Sequence, residues 1–93
     1  MPNIKSAIKR ARQNEKRRLR NKGWKTRVKT ETKRVLAAIQ EGKEEQEVRD
    51  LLRNALRMID KVGSKGVFHK RTVARKKSRL ARHVNSALAA RQQ

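Results

Sequence analysis

Cysteine and tyrosine are absent from this 93-residue chain, and proline, tryptophan and phenylalanine occur once each. Without cysteine there is no disulfide and no thiolate metal site. With proline only at position 2, no ring breaks a helix further along. Apolar material is scarce. Ile, Leu, Val and Phe together supply 19 of the 93 residues, enough for one domain with a small core and close to the composition of disordered chains. No apolar run approaches a membrane span, and the N-terminus has no apolar signal region. The expectation is a soluble, intracellular, untargeted chain. Acidic residues are also few: 8 against 28 Lys and Arg, a formal net charge of +20 and a pI near 11.8. Charge of that size attracts nucleic acid or anionic membrane, and it does not specify a fold.

The charge is unevenly spread. Residues 1–40 carry 14 basic residues against Glu15 and Glu31, a net +12; residues 41–60 are net −2; residues 61–93 are net +10 with no acid at all. A solvated face normally mixes both signs, so the two outer segments point to a polyanion. The middle segment is the part that faces away from it.

One long helix organises the chain. It runs from Ser6, a candidate N-cap, to about Gln40, with Gly42 suited to the C-terminal cap. Met1 to Lys5 reads as a short extended lead-in. Trp24, Val28, Val35, Leu36 and Ile39 recur at helical spacing, with Thr32 filling a gap, and form a core-facing stripe. Continued towards the N-terminus, that face meets Arg20 or Asn21, Arg17, Gln13 and Arg10, none of which suits an ordinary core. The core therefore stops near Trp24. Beyond it lies an arm of residues 1–23, in which nine basic residues between Lys5 and Lys22 (Lys5, Lys9, Arg10, Arg12, Lys16, Arg17, Arg18, Arg20 and Lys22) are opposed only by Glu15. A basic helix that outruns its bundle needs a polyanion around it. Gly23 costs about 1 kcal/mol against alanine in a helix interior. It marks a soft joint in a continuous helix, the alternative being a break there.

Two further helices follow. Glu44, Glu45 and Glu47 open the second, where negative charge complements the helix dipole. Val48, Leu51, Leu52, Ala55, Leu56, Ile59 and Val62 give the clearest amphipathic series in the chain, and Gly63 reads as its stop. Ser64, Lys65 and Gly66 make a turn, and Val67 and Phe68 plug the end of the bundle. The third helix spans about Phe68 to Ala90, with Val73, Leu80, Val84 and Leu88 inward and Ala74, Ala81 and Ala87 at the edges. Arg71, Arg75, Arg79 and Arg82 share the opposite side, with Ser78 beside them. Lys70 and Lys77 lie near the apolar stripe and must snorkel outward. Arg91, Gln92 and Gln93 read as a frayed tail. The fold class is thus all-α, a single domain forming a three-helix bundle over 24–90 with an extended, basic N-terminal first helix.

The residues carry little chemistry. His69 and His83 have no cysteine beside them and read as basic-face or solvated histidines rather than metal ligands. No triad and no glycine-rich phosphate loop is present, and the paired carboxylates Glu44 and Glu45 are better explained by the helix start. The expectation is a chain without enzymatic activity, cofactor, metal or small-molecule substrate. Trp24 and Phe68 could stack on bases, but their places in the apolar pattern assign them to packing. A DNA reader would need a helix-turn-helix spacing or a zipper, and Trp24 to Ile39 gives barely two heptads. A membrane-active helix would need a wider apolar face than Ile8, Ala11 and Leu19 provide. Arginine rows on two helices suit folded RNA, whose phosphate backbones they can touch from several sides. A histone-like DNA compactor is the competing reading.

Two hallmarks carry a family resemblance. Pro2-Asn3-Ile4-Lys5-Ser6-Ala7 followed by Lys9-Arg10, and Lys65-Gly66-Val67-Phe68-His69-Lys70 with Ala74-Arg75-Lys76-Lys77-Ser78-Arg79-Leu80, resemble the S-twenty family of bacterial small-subunit ribosomal proteins. Val35 to Ile39 fits it too. The resemblance spans nearly the whole chain, departing at Pro2, where alanine is usual, and in the Gln92-Gln93 extension. It implies a three-helix bundle lodged near the bottom of the small subunit. It also implies direct binding to small-subunit (16S) ribosomal RNA early in assembly, other small-subunit components as neighbours, a cytoplasmic location in the subunit, and neither membrane partner nor catalysis. By motif match, Asn3, Lys5, Ser6, Lys9 and Arg10 contact RNA from the arm, and His69, Lys70, Arg75, Lys77 and Ser78 from the third helix. The charge reading adds Arg12, Lys16, Arg17 and Arg20 on the arm, and Arg71, Arg79 and Arg82 on the third helix.

Overall fold

The computed structural model describes the backbone of residues 2–91 and the side chains of residues 4–91. Three helices follow in order: α1 (Pro2–Gln40), α2 (Glu45–Ser64) and α3 (Lys70–Arg91), with no strand among the described residues. The shape is elongated, 71 × 23 × 14 Å, with a radius of gyration of 18.3 Å, against roughly 12–13 Å for a compact chain of this length. The excess is the arm: residues 4–23 are exposed throughout, and Trp24 is the first half-buried residue.

α1 starts earlier than the sequence reading has it. Neither an extended lead-in nor an N-cap at Ser6 forms, because the helix begins at Pro2. Proline suits the first helical position: its missing N–H would have no intrahelical partner there, and its fixed φ is already helical. α1 runs unbroken through Gly23. It ends where Gly42 takes φ +71°, with Lys43 N–H donating to Ala38 O at 3.0 Å and Gly42 N–H to Ile39 O at 3.2 Å. This pair of bonds is a Schellman closure, which requires the left-handed residue that glycine supplies.

The end of α2 also corrects the sequence reading. Gly63 does not stop the helix, which continues to Ser64. The left-handed residue is Gly66, at φ +77°, whose N–H donates to Gly63 O at 3.0 Å. Gly63 serves close packing instead. A Cβ built on it would lie 2.6 Å from Val73 Cγ2, so the missing side chain is what lets α3 approach. α3 begins at Lys70 rather than Phe68 and ends at Arg91 rather than Ala90.

The core holds Val28, Val35, Ala38, Val48, Leu52, Ala55, Ile59, Val62, Leu80, Val84 and Leu88, with Trp24, Leu36, Ile39, Leu51, Leu56, Met58, Val67, Phe68 and Val73 packed around it. The centre of the α1 stripe falls on Val35 and Ala38, with Leu36 and Ile39 only half-buried beside them. α1 packs along α2 and α3 packs on α2, while α1 and α3 meet over a shorter length. Arg91 is no frayed end. Its guanidinium donates to Lys43 O at 2.6 Å and to Ile39 O at 3.1 Å, tying the end of α3 to the end of α1. Gln92 and Gln93 lie outside the described residues.

Candidate nucleic-acid interface

The arm presents its cations outward. Lys5, Ser6, Lys9, Arg10, Arg12, Lys16, Arg17 and Arg20 are all exposed; the side chain of Asn3 lies outside the described residues. The two acids of α1 are each engaged by an arginine one turn on. Glu15 Oε1 accepts from Arg18 Nη2 at 2.6 Å, and Glu31 Oε1 from Arg34 Nη1 at 3.0 Å. Exposed pairs of this kind contribute about 0–1 kcal/mol to stability. Their larger consequence is that the remaining α1 cations face no acid of their own helix.

α3 supplies a second basic surface. Arg71, Arg75, Ser78, Arg79 and Arg82 are exposed, opposite the buried Leu80, Val84 and Leu88. Lys70 is exposed at the helix start, where it precedes the row. Two of the residues taken from the motif match have internal partners. His69 precedes α3, and its Nδ1 accepts from Arg71 N–H at 3.1 Å. The ring thus caps the helix start and leaves Nε2 for an outside partner. Lys77 is half-buried, and its Nζ lies 3.0 Å from the Asp60 carboxylate on α2.

The aromatic side chains are held by packing and by cations. Arg27, Lys61 and Lys65 stand 5.0, 5.5 and 4.8 Å from the centroid of the Trp24 ring, and Lys76 stands 5.1 Å from that of Phe68. Each such contact contributes roughly 0.5–1 kcal/mol at an exposed site. Arg17, Arg20, Asn21 and Trp24 share a surface recess with Lys65, Gly66 and Val67, so the base of the arm meets the α2–α3 connection there. The sequence reading leaves out Lys65 as well as Lys25, Lys29, Lys33 and Lys76. The signal for the three α1 lysines was present: they recur every fourth residue and so share one side of the helix.

No group of three or more His, Asp or Glu side chains that could hold a metal ion occurs among the described residues. No described helix is long and apolar enough to cross a membrane. The acids gather on α2 and the turn before it: Glu45 pairs with Arg49 at 2.8 Å, and Asp50 Oδ1 accepts from Gln46 at 3.0 Å.

A basic helical arm on a three-helix bundle, with a second cationic row on the third helix, defines a class of strongly basic, all-α proteins. The family model described as Ribosomal protein S20 matches residues 2–85, and the chain belongs to that family. It is 52% identical over 91 residues to the small ribosomal subunit protein bS20 of Kosmotoga olearia, covering 98% of this chain and 93% of that protein. The bS20 of Thermotoga neapolitana is 52% identical over 88 residues, with 95% and 89% covered. That of Thermosipho africanus is 47% identical over 92 residues, with 99% and 100% covered.

Proposed function

We propose that this chain binds small-subunit (16S) ribosomal RNA directly and stabilises its folding as the subunit assembles, without catalytic activity. The observation that supports the reading is the pairing of two strongly basic surfaces, the arm with Glu15 as its one acid and the outer row of α3 with none of its own, while six of the eight acids lie on α2 and the turn before it. The arm, residues 1–23, enters between RNA helices. The bundle, residues 24–90, is the anchor that gives the arm its direction. Lys5, Lys9, Arg10, Arg12, Lys16, Arg17 and Arg20 neutralise phosphates along the arm, with Asn3 and Ser6 as neutral donors. Lys70, Arg71, Arg75, Ser78, Arg79 and Arg82 do so along α3, joined by Nε2 of His69, and by Lys77 once Asp60 releases it. The relatives are named as small-subunit ribosomal proteins, and the same setting fits this chain, with other subunit components as neighbours and the cytoplasmic ribosome as its place.

The test is a competition between a small-subunit ribosomal RNA transcript and duplex DNA at equal salt and fixed magnesium. If about ten phosphates are neutralised, the log–log salt slope has a magnitude of roughly 7 to 9. Arg75→Ala with Arg79→Ala weakens RNA binding by about 2 to 4 kcal/mol at roughly 1 to 2 for each charged contact, with the helical signal unchanged. Equal affinity for duplex DNA overturns this reading, and a double variant that binds like the parent removes α3 from it and leaves the arm to carry the binding alone.

A further inference from the structure

An open groove of about 650 Å³ separates α1 from α3, a size within the roughly 300–1,000 Å³ of ligand pockets. Its floor is apolar: Val28 and Leu36 from α1, Ile59 from α2, Phe68 from the connection and Leu80 from α3. Its walls are basic. Lys25, Lys29 and Lys33 rise on the α1 side, and Lys76, Arg79 and His83 on the α3 side. No acid lines it. The remaining polar group, the Thr32 hydroxyl, is already spent on Val28 O at 2.9 Å. Of these walls only Arg79 belongs to the α3 row described above.

We propose that this groove is a base-binding site: an unstacked RNA nucleobase lies on the apolar floor, and the phosphates on either side of it rest on the two basic rims. The proposal rests on the RNA-binding reading and names the part of the RNA that this face takes, a single-stranded or bulged segment. The lining of the groove selects that occupant. An apolar floor between two cationic rows matches a polymer that alternates flat apolar rings with negative charges, as single-stranded nucleic acid does. A flat bilayer surface cannot reach a floor recessed between ridges. An acidic amphipathic helix carries its carboxylates on the face opposite its apolar stripe, so seating that stripe on the floor turns the carboxylates away from the rims. Lys76 beside the Phe68 ring adds a cation next to the one aromatic on the floor, where a base edge and a phosphate would both find a partner.

The experiment uses the full chain with labelled Ile, Leu and Val methyl groups. The probes are a short single-stranded oligoadenylate and an abasic sugar–phosphate oligomer of the same length and charge, at one salt concentration. The expected result is about fivefold or tighter binding of the oligoadenylate, the lower edge of what stacking one base is worth, with shifts at the Leu36 and Leu80 methyl groups that the abasic oligomer does not produce. Leu36→Glu removes that preference. If that variant fails to fold, Lys29→Glu with Lys76→Glu, both exposed, abolishes the methyl shifts while leaving the helical signal intact. Equal affinity for the two oligomers with silent methyl groups overturns the base site. If the parent then still binds the ribosomal transcript, the wider reading stands. An acidic helical peptide that moves these methyl groups when the oligoadenylate does not also overturns the base site. A parent chain that binds neither transcript nor oligomer overturns both.

Discussion

Arg91, the last residue of α3, closes the C-terminus of α1 by donating from Nη2 to Ile39 O at 3.1 Å and from Nη1 to Lys43 O. The carbonyls at a helix end have no intrahelical donors, and the end carries partial negative charge. One guanidinium answers both needs and fixes the register of α3 on α1 at the end of the bundle away from the arm. Arg91→Ala is expected to lower stability by about 1 kcal/mol, the net value of such bonds at an exposed site. Arg91→Lys should recover the charge but not the fork that spans two carbonyls. Urea melts of the three proteins check this, and an alanine variant as stable as the parent removes the clamp from the account.

Gly63 and Val73 offer a sharper test, because two effects of opposite sign compete. Alanine at 63 gains about 1 kcal/mol of helix propensity. Its Cβ would lie 2.6 Å from Val73 Cγ2, and a β-branched side chain in a helix has one strongly preferred rotamer and cannot swing away. The helices must separate, at a typical cost of about 1–3 kcal/mol. Gly63→Ala is therefore expected to destabilise the parent by about 1 kcal/mol, the net of these two effects. In a Val73→Ala background the clash is gone, and the same change should stabilise. A substitution at 63 with the same sign in both backgrounds contradicts this packing.

These two contacts mark the limit of what could be read from the residues. The inner stripes were legible, since Val28, Val35, Val48, Leu52, Ile59, Leu80, Val84 and Leu88 repeat at helical spacing and all are buried. So was the point where the core ends near Trp24, because the next positions on that face are arginines and polar amides. Gly63, by contrast, looks in sequence like any helix stop. Only the approach of α3 distinguishes a glycine that ends a helix from one that admits a neighbour. Pro2 gave the same difficulty, being compatible with a lead-in and with a first turn. The cationic surface of α3 could be drawn by rotation alone, but rotation cannot show that Lys77 finds Asp60 across the helix interface or that His69 turns its Nδ1 to the backbone. The walls of the α1–α3 groove come from residues more than forty positions apart, beyond the reach of any local pattern.

Asp60 holds Lys77 at 3.0 Å with both side chains substantially exposed, so the pair contributes about 0–1 kcal/mol to stability. In the proposed RNA binding it acts as a restraint, placing an acid beside the cationic face of α3 and occupying one of its lysines. Asp60→Asn is expected to leave the melt within about 0.5 kcal/mol of the parent. It should tighten RNA binding a few-fold and raise the magnitude of the salt slope by about 0.7–0.9, the value of one further phosphate contact. Weaker binding by this variant would mean that Asp60 positions Lys77 for the RNA rather than withholding it.

The arm poses the last question, whether a helix without neighbours persists before RNA arrives. From residue 4 to residue 23 every described side chain is exposed, so little tertiary packing supports the backbone beyond the recess that Arg17, Arg20 and Asn21 share with Lys65, Gly66 and Val67. Its one acid is taken by Arg18, and the remaining cations repel one another along the turns. Isolated helices of this length are marginal in water even with favourable sequences, because nucleation is costly and most helical stability in proteins comes from packing an apolar face. Ile4, Ile8 and Leu19 have nothing to pack on and are about half exposed, at 55%, 50% and 54%. The arm is thus expected to open frequently in the free protein, with amides of residues 6–22 exchanging far faster than those of Val35, Ile59 and Val84, which sit in the core. Binding of ribosomal RNA should slow arm exchange by orders of magnitude while changing core exchange only modestly, since the ordering energy is spent on the arm itself. Hydrogen exchange followed by mass spectrometry, with and without the transcript, resolves the two regions. Arm amides already as protected as the core in the free chain would show that the arm is a preformed rod. Unaltered arm exchange in the complex would mean that the RNA is held by α3 alone.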